Sequence, residues 1–294
     1  MPQFARTPVL DIAYESTGLA GGIPVILLHG FPDDARAYDA VVAPLAEHGC
    51  RVLVPYLRGY GATRFLDPAT PRSGQQAALG ADLRDFMDAL DIETAVLGGY
   101  DWGGRAACVV SALWPERVRG LVSINGYNIQ HIVSSLTPAP AEQELRHWYQ
   151  WYFNTERGRA GLAANRHEIC RLLWKLWSPN WHFSEAKYAA TAISFDNPDF
   201  VDVVIQSYRH RHQNAAGDPA LEPIEALLAA QPKIAVPSIV LHGEADGVGP
   251  VAQSETAFKH FAGPYERRVI PVAGHFLPHE APDAVVQAVR DLLG

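Results

Sequence analysis

Features typical of secreted, membrane-spanning and zinc-binding proteins are scarce in this 294-residue sequence. The three cysteines, Cys50, Cys108 and Cys170, are odd in number and show no paired spacing, which argues against a disulfide framework and a zinc site. No segment approaches the roughly 18 consecutive apolar residues of a membrane-spanning helix, so no membrane partner is expected. The N-terminal segment MPQFARTPVLDIAYE lacks an apolar run behind a basic start, and we therefore predict a cytoplasmic location.

Positive charge is also in short supply. The sequence has 24 Lys and Arg residues against 32 Asp and Glu residues, a formal net charge of −8. Its basic residues are scattered, apart from the short run RHRH at 209–212, so we expect no nucleic-acid partner. The remaining composition, 48% hydrophobic and 19% charged, is that of a globular protein large enough to bury a substantial core.

One place in the sequence hints at a metal-binding helix. His167 and Glu168 begin like a metalloprotease motif, but that motif requires a second histidine where this chain has Arg171. A solvated helix face is the better interpretation of this segment. We therefore predict that the protein uses neither a metal nor a cofactor.

Short apolar runs alternate with helical patterns through the first 125 residues, which predicts an α/β protein whose mostly parallel sheet is flanked by helices. The four clearest strands are PVILLHG, RVLVP, TAVLGG and GLVSING. Between them, the segment QQAALGADLRDFMDAL repeats apolar residues every three or four positions, as expected for a helix packed on a sheet.

The pattern changes near Tyr127, where aromatic residues become frequent and strand-like runs stop until about Asn214. A buried strand returns at PSIVLHGEAD, and the chain ends in an amphipathic helix, PDAVVQAVRDLL, opened by a proline. We therefore predict a core domain of residues 1–127 and 216–294, interrupted by a helical cap domain of residues 128–215.

The sequence GGYDWGGR at 98–105 follows a predicted strand and precedes a helix. A sharp strand-to-helix reversal needs small residues around the side chain at its apex, and Gly99, Gly103 and Gly104 meet that need. The apex residue is Asp101, whose carboxylate the helix N-terminus would stabilise in its charged form. We expect Asp101 to be charged and exposed at the end of the sheet. A simple helix cap is the alternative role.

Two further motifs follow predicted strands. The backbone N–H of Phe31, in HGFP, and that of Trp102, directly after Asp101, are candidate donors of an oxyanion hole. Near the C-terminus, HGEAD places Asp246, and AGH places His275, each in a loop after a strand. Taken singly, an aspartate in a turn or a histidine in a loop is common. Because Asp101, Asp246 and His275 occur in this order, each after a predicted strand, we predict that they are a nucleophile, an acid and a base.

With these motifs, the chain resembles the α/β-hydrolase superfamily over nearly its full length, through HGFP, RGYG, GYDWGG, HGEAD and AGH. An aspartate at the nucleophile position narrows the resemblance to epoxide hydrolases and dehalogenases. The resemblance implies that Asp101 attacks a saturated carbon and forms an alkyl ester. His275, oriented by Asp246, would then activate the water that clears this ester.

Epoxide hydrolases carry two tyrosines in the cap that protonate the leaving oxygen. The first is matched by Tyr149 in YQWYF, and the second by Tyr208 in QSYRHR. An epoxide oxygen is a poor leaving group at neutral pH, and phenols are suitable proton donors. On residue type alone, these tyrosines would be two of 11 in an aromatic-rich cap, packed like their neighbours. The resemblance favours hydrolysis of epoxides to vicinal diols.

Dehalogenation is the leading alternative. Haloalkane dehalogenases share the tryptophan at Trp102, but commonly have an asparagine where this chain has Phe31. Fluoroacetate dehalogenases share residues at Arg105 and Trp151, which makes both candidate substrate-binding residues. They have a histidine at the position of Gln150, a third candidate, and a second arginine at the position of Trp102. The loss of that arginine weakens a paired, charge-assisted grip on a carboxylate.

A non-catalytic binding module on the same scaffold is a third hypothesis, because a fold does not establish a function. An intact set of Asp101, Asp246 and His275 argues against it. The aromatic cap predicts an apolar pocket, and hence a small apolar or aromatic epoxide, or an organohalide, as substrate. Whether the chain forms a homodimer is left open.

Overall fold

The computed structural model describes residues 2–294, which form an α/β structure around one large sheet. In these residues the strands are β1 (Gln3–Arg6), β2 (Leu10–Thr17), β3 (Ile23–Leu28), β4 (Cys50–Pro55), β5 (Arg64–Phe65), β6 (Ala95–Tyr100), β7 (Val118–Ile124), β8 (Ser238–Gly243) and β9 (Tyr265–Ile270). Their order is β1-β2-β4-β3-β6-β7-β8-β9, with β5 paired to β2. The pairings from β4 through β3 to β9 are parallel, and those of β1, β2 and β5 are antiparallel.

The strands predicted from apolar runs are found as β3, β4, β6, β7 and β8. Residues of β6 and β8 are buried along their whole length, because helices cover both faces of the parallel part of the sheet. The antiparallel strands β1, β2 and β5 were not predicted. Strand β2 contains Asp11, Glu15 and two hydroxyl residues, so it lacks the continuous apolar run that marks a central strand.

Helices connect the strands and fill the long segment between β7 and β8. They are α1 (Asp39–Glu47), α2 (Gln76–Ala89), α3 (Asp101–Leu113), α4 (Ala141–Arg146), α5 (Trp148–Phe153), α6 (Glu156–Trp177), α7 (Glu185–Ala192), α8 (Phe200–Arg211), α9 (Glu222–Ala229), α10 (Leu277–Glu280) and α11 (Pro282–Leu293). Short 3₁₀ segments are Ala35–Tyr38, Pro115–Arg117, Ile132–Leu136, Ile193–Asp196, Pro219–Leu221 and Val251–His260. Among residues 2–294, no helix combines the length and the apolarity that crossing a bilayer requires.

The segment from 125 to 237 contains helices α4 to α9 and, as predicted, no strand. Helix α9 follows the predicted return to the core and is tied to the start of α2. There the buried Glu225 carboxylate accepts hydrogen bonds from the Ala77 backbone N–H (3.0 Å) and from the side chains of Gln75 and Gln76 (3.2 and 3.1 Å). The division into a core and a cap of residues 128–215 stays a prediction.

Candidate active site

The turn between β6 and α3 holds Asp101 in a strained conformation. Its φ of 49° lies in the left-handed region, which a non-glycine residue seldom occupies without a functional reason. The turn is tight because a Cβ atom at Gly103 would collide with the Leu28 carbonyl oxygen of the adjacent strand. Helix α3 begins at Asp101 itself, two residues before the predicted start near Gly103. The apex position of Asp101 therefore follows from the backbone geometry.

Backbone N–H groups flank the Asp101 carboxylate. The Phe31 N–H donates to Asp101 Oδ1 over 2.8 Å, and a Cβ atom at the preceding Gly30 would lie 2.6 Å from the Asp101 Cβ. The Trp102 N–H belongs to the first turn of α3, where an α-helix offers its N–H groups no intrahelical acceptor. Both predicted oxyanion donors therefore belong to backbone beside Asp101, and Phe31 already binds its carboxylate.

The prediction that Asp101 is exposed was wrong. Its side chain is only 11% accessible to solvent. The sequence pattern placed Asp101 at an open sheet edge, but Tyr149 on α5 and Tyr208 on α8 pack against Phe31 beside it. The helical insertion therefore covers the carboxyl end of the sheet.

Asp246 and His275 meet in the loops after β8 and β9. Asp246 Oδ2 lies 3.0 Å from His275 Nδ1, while Asp246 Oδ1 accepts from the backbone N–H groups of Val248 (2.7 Å) and Gly249 (3.1 Å). The other ring nitrogen, His275 Nε2, has no hydrogen-bond partner in residues 2–294, although it is buried. In the neutral imidazole, this arrangement places the proton on Nδ1, facing Asp246, and leaves Nε2 as an acceptor.

The charges of the pair are coupled. Burial alone would lower the pKa of His275, but the Asp246 carboxylate beside it raises that pKa above its ordinary value. Burial likewise disfavours the charged Asp246, but His275 holds the pKa of Asp246 below its ordinary value. Asp246 therefore stays ionised and stabilises a proton that His275 accepts.

Asn125 completes the surroundings of Asp246, and the sequence argument missed it. Its side-chain Nδ2 donates to Asp246 Oδ2 over 2.5 Å, and its own φ is 75°. The signal that could have found it is its position, because it follows β7 directly in GLVSING and so lies at the same sheet edge as Asp101.

Tyr149 and Tyr208, the two predicted proton donors, both pack on Phe31. Both are buried, and their rings meet edge to face with centroids 5.4 Å apart. The Tyr149 hydroxyl accepts a hydrogen bond from Gln150 Nε2 (3.0 Å), which leaves its own proton free to be donated. Burial raises the pKa of Tyr149 to about 12, and burial first, with the neighbouring Tyr149 and Asp101 next, raises the pKa of Tyr208 well above its ordinary value. Both phenols are therefore protonated at neutral pH.

The three candidate substrate-binding residues occupy different places. Gln150 is buried and links the Tyr149 hydroxyl to His212, whose Nε2 lies 3.0 Å from Gln150 Oε1. Trp151 lies at the rim, 41% exposed, and its indole N–H donates to Glu144 over 2.9 Å. Arg105 is buried, and its Nη2 lies 3.8 Å from Asp101 Oδ2.

Several of these groups line a cavity of about 420 Å³, to which Tyr149 but not Tyr208 contributes. Side chains of the core and the insertion line it together, among them Asp101, Arg105, Tyr149, Arg211, Asp246 and His275. Most lining residues are polar, which corrects the expectation of an apolar pocket. The physical reason is that large aromatic rings of the insertion, such as Phe153, Trp174 and Trp177, are buried in the core instead of lining the cavity.

Arg211 is the second site residue that the sequence argument missed. It is the last residue of α8, three positions after Tyr208, and residues at that spacing share one face of a helix. It belongs to the run RHRH, and a short basic run by itself bears only on nucleic-acid binding. Helical phasing from Tyr208 would have placed it at the cavity. Within residues 2–294, no group of three or more His, Cys, Asp or Glu side chains could hold a metal ion.

Comparison with known proteins places this arrangement in a family. Residues 23–282 match the family model described as the alpha/beta hydrolase fold. A crystal structure of a putative epoxide hydrolase from Klebsiella pneumoniae is 47% identical, with a TM-score of 0.96, and the match covers 99% of this chain and 96% of that one.

Two curated relatives are more distant. Epoxide hydrolase A of Mycobacterium tuberculosis is 26% identical over 94% of this chain and 92% of its own length. The AB hydrolase superfamily protein YfhM of Bacillus subtilis is 30% identical, but the match spans only 51% of this chain and 52% of that protein. The chain therefore belongs to the α/β-hydrolase fold family and is an enzyme of its epoxide hydrolase-like branch.

Proposed function

We propose that this protein hydrolyses epoxides to vicinal diols through a covalent ester on Asp101. The observation that carries the proposal is the meeting of three groups at one cavity: the Asp101 carboxylate, the Tyr149 hydroxyl and His275. The names of the Klebsiella and Mycobacterium relatives support the same reaction. Residues 128–215 act in this proposal as a cap that brings the phenols to the nucleophile.

The first step is attack by Asp101. Because the Phe31 N–H binds Oδ1, we assign the attack to Oδ2. A bond forms between Oδ2 and a ring carbon as the bond from that carbon to the epoxide oxygen breaks. The oxygen takes a proton from Tyr149 or Tyr208, so that the products are a hydroxyalkyl ester and a phenolate.

The second step is hydrolysis of the ester. His275 Nε2 removes a proton from water, whose oxygen adds to the carboxyl carbon of Asp101. The N–H groups of Phe31 and Trp102 stabilise the resulting oxyanion. As this intermediate collapses, the proton left on the added water oxygen passes to the departing alkoxide, which releases the diol and restores the Asp101 carboxylate. The proton held by His275 returns to the phenolate. Asp246 orients the imidazole through Nδ1 and stabilises its charge.

Replacing His275 tests the covalent step. His275→Gln removes the base but leaves the nucleophile, so a single turnover of an epoxide should leave the ester on Asp101. Intact-mass measurement after mixing with styrene oxide should show a gain of one substrate mass. Peptide mapping should place the adduct at Asp101, and the doubly substituted variant His275→Gln, Asp101→Asn should show none. The mechanism would be contradicted if the wild-type protein forms diol but the mass of the single variant stays unmodified.

Carbon–halogen hydrolysis is a second candidate, because one observation favours it. The indole Nε1 atoms of Trp102 and Trp177 are buried and have no hydrogen-bond partner in residues 2–294. Both rings pack on Phe31, with centroids 5.7 and 6.0 Å away. Two such donors could hold a departing halide. Epoxides and haloacetates assayed side by side decide the matter, since halide release without diol formation would favour this candidate.

A further inference from the structure

Two arginines line the cavity, and in the part of the chain that the structure describes only one of them lies within 4.0 Å of a carboxylate. Arg105 lies one turn after Asp101 on α3, and Arg211 ends α8. Within residues 2–294, the only carboxylate within 4.0 Å of Arg105 is that of Asp101, and Arg211 has none. Arg209, two positions earlier on the same helix, instead pairs at the surface with Glu156 over 2.9 Å.

The immediate neighbours of Arg211 do not neutralise it. With the Gln130 amide oriented so that its oxygen faces the guanidinium, Arg211 Nε and Nη1 each donate to it over 3.2 Å. That acceptor is uncharged. Burial, and next the positive charge of Arg105, lower the pKa of Arg211. Two cations that line one partly desolvated cavity repel each other, which costs stability unless an anion binds there.

The other titratable groups at the cavity leave this imbalance in place. Burial, and next the charge of Arg211, lower the pKa of His147 and of His212 to about 4, so both are neutral at pH 7. The Glu144 carboxylate raises the pKa of His147, but burial and the charge of Arg211 lower it by more. The Glu144 carboxylate lies at the rim and binds the Trp151 indole. Asp246 is engaged by His275.

We propose that Arg105 and Arg211 together bind a carboxylate of the substrate, so that the preferred substrates are epoxides with a carboxylate next to the oxirane ring. This inference rests on the proposed epoxide hydrolysis. Planar guanidinium groups match a carboxylate in geometry and form strong, charge-assisted hydrogen bonds with it. Because Arg105 Nη2 lies 3.8 Å from Asp101 Oδ2, a carboxylate on Arg105 would lie close to the carbon that Oδ2 attacks.

Arg211 has a competing role in which it only supports the proton donor. Its positive charge also lowers the pKa of Tyr149, although burial raises that pKa overall. In that role, loss of Arg211 would slow charged and neutral epoxides equally. The anion-binding role instead predicts a loss confined to the charged epoxide. A matched pair of substrates therefore separates the two.

The matched substrates are glycidate (oxirane-2-carboxylate), which is charged, and its neutral amide, glycidamide. The variants are Arg211→Gln and, as a control with the same loss of charge, Arg157→Gln at an exposed position of α6. The wild type should prefer glycidate. Arg211→Gln should lower kcat/KM for glycidate by roughly 10- to 100-fold, mainly through KM, as expected for a lost charge-assisted hydrogen bond. Glycidamide turnover and the Arg157→Gln variant should be unchanged.

An equal loss for both substrates, or no loss for either, would overturn the anion site while leaving epoxide hydrolysis intact. Calorimetric titration with glycerate, the diol product, and with uncharged glycerol gives a readout that needs no turnover. If no epoxide is opened but glycerate binds and Arg211→Gln weakens it, the anion site stands and the proposed function fails. Glycerate binding that is equal in the wild type and Arg211→Gln overturns the site.

Discussion

At the scale of single residues, the site combines groups whose environments assign them different tasks. Asp101 lies at a strained apex with an N–H donor on one carboxylate oxygen. Tyr149 and Tyr208 are kept protonated by burial. His275 presents an unpartnered nitrogen. Groups whose protonation states differ at one pH can supply the acid, the base and the nucleophile of a single reaction.

Removing the phenol protons tests the assignment of the acids. We expect Tyr149→Phe and Tyr208→Phe each to slow epoxide opening, and the double variant to slow it by roughly 10²- to 10⁴-fold, the usual contribution of general acid catalysis. Hydrolysis of the ester should be unaffected, because it uses His275. Pre-steady-state kinetics separates the two steps, with Tyr152→Phe on the same helix as control. A double variant that opens epoxides at the wild-type rate would refute the role.

Order along the chain and positions after strands predicted Asp101, Asp246 and His275, whereas the family resemblance supplied Tyr149 and Tyr208. Asp101, Asp246 and His275 each follow a predicted strand, and parallel strands bring their carboxyl ends to one edge. The sequence argument did not identify Asn125 and Arg211, because neither residue type indicates a role without a partner. Local position places Asn125 after β7 and Arg211 on the helix face of Tyr208, but the contact of Asn125 with Asp246 and the place of Arg211 at the cavity depend on the packing of distant elements.

At the scale of elements, the β6–α3 turn is the most constrained connection near the site. It reverses the chain without a linker residue, because β6 ends at Tyr100 and α3 begins at Asp101. The reversal presses the start of α3 against β3, and a glycine at 103 permits that contact. The glycine pattern in the sequence predicted this closeness correctly.

Gly103→Ala should therefore destabilise the fold and distort the Asp101 turn. The added methyl group would meet the backbone oxygen of Leu28, which cannot move aside without breaking the sheet. We expect a loss of about 1–3 kcal/mol in the free energy of unfolding, measured by denaturant titration. Gly21→Ala is the control, since a Cβ atom there would have no neighbour within 4 Å. Equal stability of the two variants would show that the turn tolerates a side chain.

At the scale of the whole molecule, the helical insertion leaves the sheet after β7 and returns before β8, so it must be anchored at both ends. On the return side, the buried Glu225 binds three donors at the start of α2. The insertion carries Tyr149, Tyr208 and Arg211, and its placement over the sheet determines where these side chains reach Asp101.

Removal of the Glu225 carboxylate tests this anchor. Glu225→Leu removes the acceptor that three donors share. Gln76 Nε2 keeps a second acceptor, the Gln130 carbonyl oxygen at 3.2 Å, and each donor left unsatisfied costs about 1–3 kcal/mol before relaxation. We expect a clear drop in the midpoint of thermal unfolding, while Glu222→Gln, at an exposed position of the same helix, should leave it unchanged. A Glu225→Leu protein as stable as the wild type would mean that α9 is held by its apolar contacts alone.

The sequence by itself determined the parallel sheet and the helical insertion, and it predicted the order of nucleophile, acid and base, because apolar periodicity and glycine-rich turns act over short stretches of chain. Only the tertiary structure decided how far the insertion covers Asp101 and that the cavity is polar. It also brought Arg105 and Arg211 to the same cavity, although they are 106 positions apart in the sequence, 211 minus 105. Whether an aromatic or charged side chain faces a core or a cavity depends on the packing of distant elements, which sequence patterns do not specify.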